Sequence, residues 1–515
     1  MQLAVDARMA KATIIQGGFF VSEQSSKTGR SFILPRRTFL KGGAALGLSG
    51  AVSAPFINRL RAQESHPLAG QSIEMNILGI AGWLPSSLGV KMSPLFADYA
   101  KEKYGYDVSF GFAEAPFADL FQKAATSLAT RSQEYNIIIS DSQWLGALAQ
   151  PGWILQLDDV IAKNPNLQLE WYSQTVVDTY MTYPDGSKNR WGLPQEGDTI
   201  ALFVRKDMLE DENERQAFQA KYGKPLPRTF EDFEELTMEE FEKVADFFNR
   251  PDQEMWGTAS QYSRVYDFVT CYLYPFMWSQ GGDVWNPETG QVEGILNSDV
   301  NAMAMEQYKS WLKYQPPGAL NYGIAEIIDV FTQGKVFSAF QWAAVGLAMV
   351  NDENRDKVMV VPPPKHGKGA EAKRVYTMGG QPWVINAFND DAKMRVAIDF
   401  LNWWYLPETT LEFAKRGGNP TDKATLSNPE FDSINPWNRA YKYMLEPGRS
   451  RDFWHHPRYS EMLAVQQEGF TSYMTGSTES ARQALDYIAC QQQQILYDAG
   501  TASERPSDAC ASTSL

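Results

Sequence analysis

The sequence predicts an α/β fold of more than one domain, and three observations predict it. The chain has 515 residues, enough for two or three domains at about 150 residues each. Its 43% hydrophobic and 21% charged residues are the mix of a globular chain with cores to fill. Beyond residue 70, strand-like and helix-like patterns alternate, the signature of a parallel sheet with crossover helices.

Taken in order, "SIEMNILGI" (Ser72–Ile80) alternates and is β-branched enough for a strand, leaving Trp83 at its carboxyl end. "SPLFADYAKEKYG" has helical spacing, a Ser at its start and a Gly stop. "YDVSFGF" reads as a strand, "ADLFQKAATSLATRS" as a helix, and "YNIIISDSQW" as a buried strand reaching Asp141. In parallel sheets ligands bind beyond the carboxyl ends of strands, where Trp83 and Asp141 both fall. The charged stretch from Leu209 to Arg250 is solvated helix around a Pro-rich turn, with carboxylates too evenly spread to nominate a catalytic pair. "IDVFTQGKVFSAFQWAA" is a helix, a Gly stop and a strand carrying Trp342. "PPPKHGKGAEAKRVYTMGGQPWVI" is a Pro/Gly/Lys linker running into a strand, and "DDAKMRVAIDFLNWWYLPETTLEFAKRGG" is two helices broken at Leu406-Pro407. The Ser/Ala/Thr-rich residues 501–515 are expected to form a flexible tail.

Near the start, "PRRTFLKGGAALGLSGAVSA" resembles a bacterial twin-arginine export signal, with Arg36 and Arg37 as the pair. The apolar run from Gly42 to Ile57 is shorter than the ~20 residues of a membrane span. Residues 1–62 are therefore expected to be a leader and signal peptide, with cleavage near Ala54 or Ala62. The full chain carries a net charge of −15; without 1–62 it keeps 38 basic and 60 acidic residues, a net charge near −22. That balance argues against nucleic acid or an anionic membrane as partner, and leaves cationic ligands open. Twin-arginine clients are often redox enzymes, but four His and three Cys (Cys271, Cys490, Cys510) form no metal or haem constellation, so no cofactor and no metal are expected. Cys490 and Cys510 could close a loop in an oxidising compartment, although free thiols are favoured.

Several stretches together resemble the extracellular solute-binding proteins of ABC importers, most of which bind carbohydrates. "DSQWLGALAQPGWILQLDDVI", "RWGLPQEGDTIALFVRKDML", "FMWSQGGDVW", "FTQGKVFSAFQW", "MGGQPWVI" and "FAKRGGNPTDKATL" stand in the family's order, with Val204-Arg205 where the family usually has Tyr-Asn. The resemblance implies a type II periplasmic-binding-protein fold, two α/β lobes joined by a hinge crossed three times. The crossings would lie near Gly192–Leu202, Gly367–Tyr376 and Arg416–Ala424. One lobe would comprise 70–193 plus 377–417, and the other 203–372 plus 424–500. It implies a monomeric, non-enzymatic periplasmic protein that passes a small carbohydrate or polyol to the transmembrane subunits of an ABC permease.

A sugar ring offers an apolar C–H face to an indole and a rim of hydroxyls to carboxylates, amides and guanidinium groups. On that chemistry the stacking candidates are Trp83, Trp144, Trp278, Trp342 and Trp383. Each has plain core packing as its alternative. Asp141 is the leading polar candidate, with a helix N-cap as the alternative. Gln195 and Asp198 would floor the cleft, Gly380 and Gln381 would present backbone donors, and Arg416 would fork onto hydroxyls or brace the hinge. Trp403 and Trp404, in mid-helix, are expected to pack. A cationic solute such as a polyamine is the second reading within the binding class. A secreted glycoside hydrolase is the enzymatic alternative, disfavoured because Asp141 has no recognisable partner acid.

Overall fold

The computed structural model describes residues 66–367, 371–511 and 513–515, and the expected leader with Arg36 and Arg37 lies outside them. Two separate mixed sheets organise the chain. The first is built from β1 (Ser72–Ile80), β2 (Asp107–Ala115), β3 (Ile137–Ile139), β4 (Leu193–Pro194) and β9 (Pro382–Ile385), in the order β2-β1-β3-β9-β4. β1 pairs with β2 in parallel along its whole length and with β3 in parallel, joined through the crossover helices Ser93–Tyr104 and Phe117–Ala129. The second sheet contains β5 (Asp198–Arg205), β6 (Ser338–Trp342), β8 (Tyr376–Gly379) and β10 (Ser450–Arg451), in the order β10-β8-β5-β6. Here β7 (Val358–Val361) also pairs with β5.

The expectation of parallel pairing holds for β1, β2 and β3 and, in the second sheet, for β8 with β10. β9 runs antiparallel to both β3 and β4, and β5 is antiparallel to β6, β7 and β8. These strands enter their sheets from the other sheet rather than from a crossover helix, and local hydrophobic pattern carries no sign of that. The linker reading of residues 362–385 is corrected for the same reason. β8 belongs to the second sheet and β9 to the first, so the chain passes between sheets at Gly380–Gln381, later than the Gly367–Tyr376 crossing and the 377 boundary expected. The Pro and Lys residues mark an exposed bend, whereas the passage uses Gly380, whose φ is +107°.

The first passage, Gln195–Gly197, lies directly beside it. Gln195 and Glu196 backbone N–H groups donate to Gln381 O (2.7 and 3.1 Å), and Gln381 N–H returns a bond to Glu196 O (3.2 Å). Gly197 N–H donates to Asn419 O (2.9 Å), which brings the segment after the helix Pro407–Lys415 alongside as well.

Behind the first sheet, the helix Asp391–Trp404 packs an aromatic core. Phe400 meets Phe96 and Trp383 edge-on at 5.3 and 5.2 Å, and Trp404 meets Trp383 and Phe413 at 5.2 Å each. Trp403 and Trp404 are buried there, as the mid-helix placement predicts. Among the described residues no helix is long and apolar enough to cross a membrane. The flexible tail and free thiols are both corrected. Cys490 and Cys510 form a disulfide, Ser507 Oγ donates to Glu293 (2.5 Å), and Ala502 is buried. Composition missed this because the tail is held by partners far away in sequence.

Candidate functional site: the cleft between the sheets

A narrow cavity with a free volume of about 30 Å³ opens where the two sheets face each other across the passages, room for no more than a water or two. Small-molecule sites take roughly 300–1,000 Å³, so the walls stand almost closed on one another. Trp83, at the end of β1, and Phe117, at the start of its helix, form one wall, with Asp141 and Gln143 just past β3. Tyr266, Asp267 and Phe268, entering the buried helix Phe268–Ser279, form the other wall with Trp342 at the end of β6. Asp198, Gly379, Gly380 and Gln381 make the floor. The Trp342 ring packs against Gly379, where an added Cβ would sit 2.8 Å from it, so only glycine admits the indole in this position.

The walls also touch one another. Tyr266 OH donates to Asp141 Oδ2 (2.8 Å), Gln143 Nε2 donates to Asp267 Oδ2 (3.2 Å), and Ser142 Oγ donates to Asp452 Oδ2 (2.7 Å). Phe117 and Tyr266 stack at 5.5 Å. The Trp83 indole N–H is shared between Glu196 Oε1 (2.8 Å) and Gln381 Oε1 (2.7 Å), anchoring the ring to both passages.

The electrostatics are one-sided. Asp141, Asp198 and Asp267 line the cavity, and among the described residues no lysine or arginine does. Burial, with the nearby charges of Asp267 and Asp452, pushes the Asp141 carboxyl up to about 8. Burial likewise raises Asp267 to about 7, against the Gln143 amide donor. Glu196 and Asp198 are driven well above the usual carboxylate range by burial, Glu196 also by the charge of Asp198. The nearby cation is His455: burial opposes its charge, but hydrogen bonds to Asp185 and Asp452 outweigh it and hold the imidazole up to about 10. Two lining acceptors, Asp198 Oδ2 and Gln143 Oε1, have no partner among the described residues, nor do Glu196 Oε2 and Gln195 Oε1 behind them. Such atoms are costly to bury unless something donates to them.

Of the eleven residues nominated from the sequence, Trp83, Asp141, Asp198, Trp342, Gly380 and Gln381 line this cavity. Asp141 is also the N-cap of the turn Ser142–Trp144, the alternative role expected of it. The other five do not line it. Trp144 is fully buried one layer back, against Phe121 and the edge of Tyr266. Gln195 turns away, its Nε2 donating to Pro85 O (3.1 Å). Trp278 packs on Tyr274 with the Arg451 guanidinium over its ring, and Trp383 faces the aromatic core because β9 turns that side toward the helices. Arg416 is a partly exposed partner of Glu412 (2.7 Å) one turn back on its own helix. Glu196, Gln143, Tyr266 and Asp267 were missed. An acid pair in Glu196-Gly197-Asp198 and an aromatic–acid pair opening a helix at Tyr266-Asp267 were the available signals. Among the described residues no group of three His, Cys, Asp or Glu could hold a metal ion.

The chain matches the family described as bacterial extracellular solute-binding protein over residues 85–410. No curated protein sequence matches it. Among solved structures it is similar to an ABC transporter solute-binding protein of Agrobacterium radiobacter K84 in complex with ribitol. That pair shares 21% identity over 83% of this chain and 100% of the other, with a TM-score of 0.68. It is similar to maltose-bound MalE3 of T. maritima at 20% identity, over 82% and 100% of the two chains, with a TM-score of 0.66. It is also similar to a solute-binding protein of Agrobacterium vitis S4 with bound D-mannitol at 16% identity, over 84% and 99%, with a TM-score of 0.63. At these identities the likeness establishes the two-lobed fold.

Proposed function

Because the chain belongs to the family of bacterial extracellular solute-binding proteins, we propose that it captures a sugar, oligosaccharide or polyol in the cleft and delivers it to the transmembrane subunits of an ABC importer. The observation that carries this reading is the cleft's composition. Trp83 and Trp342 come from different sheets, and between them stand buried acceptors that need donors. Aromatic faces take the C–H side of such a solute, and its hydroxyls donate to Asp198 Oδ2 and Gln143 Oε1. The structures bound to ribitol, maltose and D-mannitol support the same class.

No bond is made or broken in this mechanism. Each sheet with its helices acts as a lobe, and the passages at Gln195–Gly197, Gly380–Gln381 and the segment around Asn419 act as the hinge. Solute contacting both lobes favours the closed arrangement, and moving a 1:99 population to 99:1 takes about 5.5 kcal/mol of differential binding. The protein works as a monomer in the periplasm, reached through the twin-arginine route after removal of residues 1–62.

A thermal-shift screen of the purified protein against sugars, polyols and polyamines tests the reading, since binding stabilises by RT ln(1 + [L]/Kd). Stabilisation by sugars or polyols is the expected result. Release of reducing sugar from an oligosaccharide would instead establish a hydrolase. Replacing Arg36 and Arg37 together by Lys should retain the precursor in the cytoplasm, which fractionation reads.

A further inference from the structure

The cleft is unusual in lacking any balance for its acids. Asp141, Asp198 and Asp267 line it, Glu196 and Asp452 stand directly behind, and the lining contributes no lysine or arginine among the described residues. His455 is engaged by Asp185 (2.9 Å) and Asp452 (3.7 Å) and is not among the residues that line the cavity. Asp141 and Asp267 are met by neutral donors, Tyr266 OH and Gln143 Nε2. Asp198 is supplied from one side only. Its Oδ1 accepts from the Thr199 and Ala344 N–H groups (2.8 and 3.0 Å), and the Ala343 N–H also acts on the carboxylate, while its Oδ2 has no partner within hydrogen-bond distance although the residue is 1% exposed. Gln143, 2% exposed, leaves its Oε1 unpartnered on the same cavity.

The unmet demand is for donors, and a cation would in addition draw the Asp198 carboxyl, which burial holds toward its neutral form, back to the carboxylate. A neutral hydroxyl brings one donor and two lone pairs, and the lone pairs face carboxylate oxygens unfavourably. A protonated primary amine brings three donors, no lone pair and a charge, and hydrogen bonds to charged partners are about twice as strong as neutral ones. Asp198 pairs with Gly379 across the sheet, and the Trp342 ring packs against Gly379, so a cation at Asp198 also sits beside an indole. The aromatic walls and the amides of Gln143 and Gln381 remain for a hydroxylated ring or chain.

We propose that the solute is a hydroxylated primary amine, an amino sugar or amino polyol, whose ammonium is held by Asp198. This inference rests on the reading of the cleft as the solute site.

Matched pairs test it by calorimetry on the purified protein: sorbitol against its 1-amino-1-deoxy analogue, and glucose against glucosamine and N-acetylglucosamine, with putrescine and spermidine alongside. The expected result is that an amine binds at least about tenfold tighter than its neutral parent, and that N-acetylation removes the gain. Asp198→Asn, which keeps the Oδ1 acceptor and the shape, should erase most of that preference: the neutral parent weakens by losing the Oδ2 acceptor, and the amine weakens by about tenfold more. Neutral sugars or polyols binding as well as their amines would overturn the inference and leave the proposed function standing. Unhydroxylated polyamines binding alone, or nothing binding at millimolar concentration, would overturn both. A preference for the amine unchanged in Asp198→Asn would overturn the placement at Asp198, as Asp141→Asn run in parallel would show by taking the loss instead.

Discussion

Two parts of the molecule are built from tryptophan and do different things with it. Behind the first sheet, Trp383, Trp403 and Trp404 meet Phe96, Phe400 and Phe413, rings on rings. In the cleft, Trp83 and Trp342 stand among Asp198, Glu196, Gln381 and Asp141. The residue type is the same and burial is similar, at 0% for Trp383 and 4% for Trp83. What separates the two regions is polar company. A ring among rings is packing; a ring among carboxylates with open valences is a platform for something with hydroxyls or charge.

Truncation separates the regions most strongly. Trp383→Ala should destabilise the fold by about 3–5 kcal/mol, seen as a large loss of denaturant midpoint, with solute affinity of the folded fraction nearly unchanged. Trp342→Ala should show the reverse emphasis, with affinity falling by about 2 kcal/mol or more in calorimetry and the midpoint moving less than for Trp383→Ala. Equal effects of the two substitutions on affinity would dissolve the distinction.

Titration separates them next. Asp141 at about 8 and Asp267 at about 7 bind protons in the native state that the unfolded chain has released, so their contribution to stability declines as pH rises toward 8. His455, raised to about 10, acts in the same direction above its unfolded value near 6.5. His366, lowered to about 3 by burial, and His456, lowered to about 4 by burial and Arg458, make stability fall as the pH drops below about 6.5. Between about pH 4.5 and 6.5 the gain at these two histidines offsets the loss at Asp141 and Asp267, and the raised Glu196 and Asp198 add to the loss, so the melting temperature should decline from about pH 5 toward pH 8, by at most about 1.4 kcal/mol per pH unit for each group. Asp141→Asn should flatten the alkaline side, whereas Phe400→Leu should lower the whole curve without changing its shape. The smallest effect belongs to Arg416→Ala, which removes a partly exposed ion pair with Glu412 and should cost about 0–1 kcal/mol with no change in affinity.

Between Ser72 and Ile139 the three strands and the helices Ser93–Tyr104 and Phe117–Ala129 were legible because hydrophobic period and Gly or Ser punctuation are local, whereas the short helix Leu84–Lys91 was not read. The placement of Trp83 and Asp141 was legible too, since position after a strand follows from the strand itself. Trp342 followed in the same way from a short buried strand with a Gly stop before it. The sheet assignment of Tyr376–Gly379 was not legible, because strand partnership across the molecule leaves no local trace. Nor were Tyr266 and Asp267, which reach the cleft only because a helix from the second lobe is aimed at Asp141. Trp383 misled for the matching reason: the strand was read correctly, but which of its faces looks at the helices depends on register with β3 and β4.

Gln381 joins what most binding sites keep apart. Its backbone ties the two passages together, and its side chain holds the Trp83 indole that walls the cleft. A change of side chain at this one position would therefore reach the wall through the lost indole anchor, while the backbone bonds between the passages stay in place.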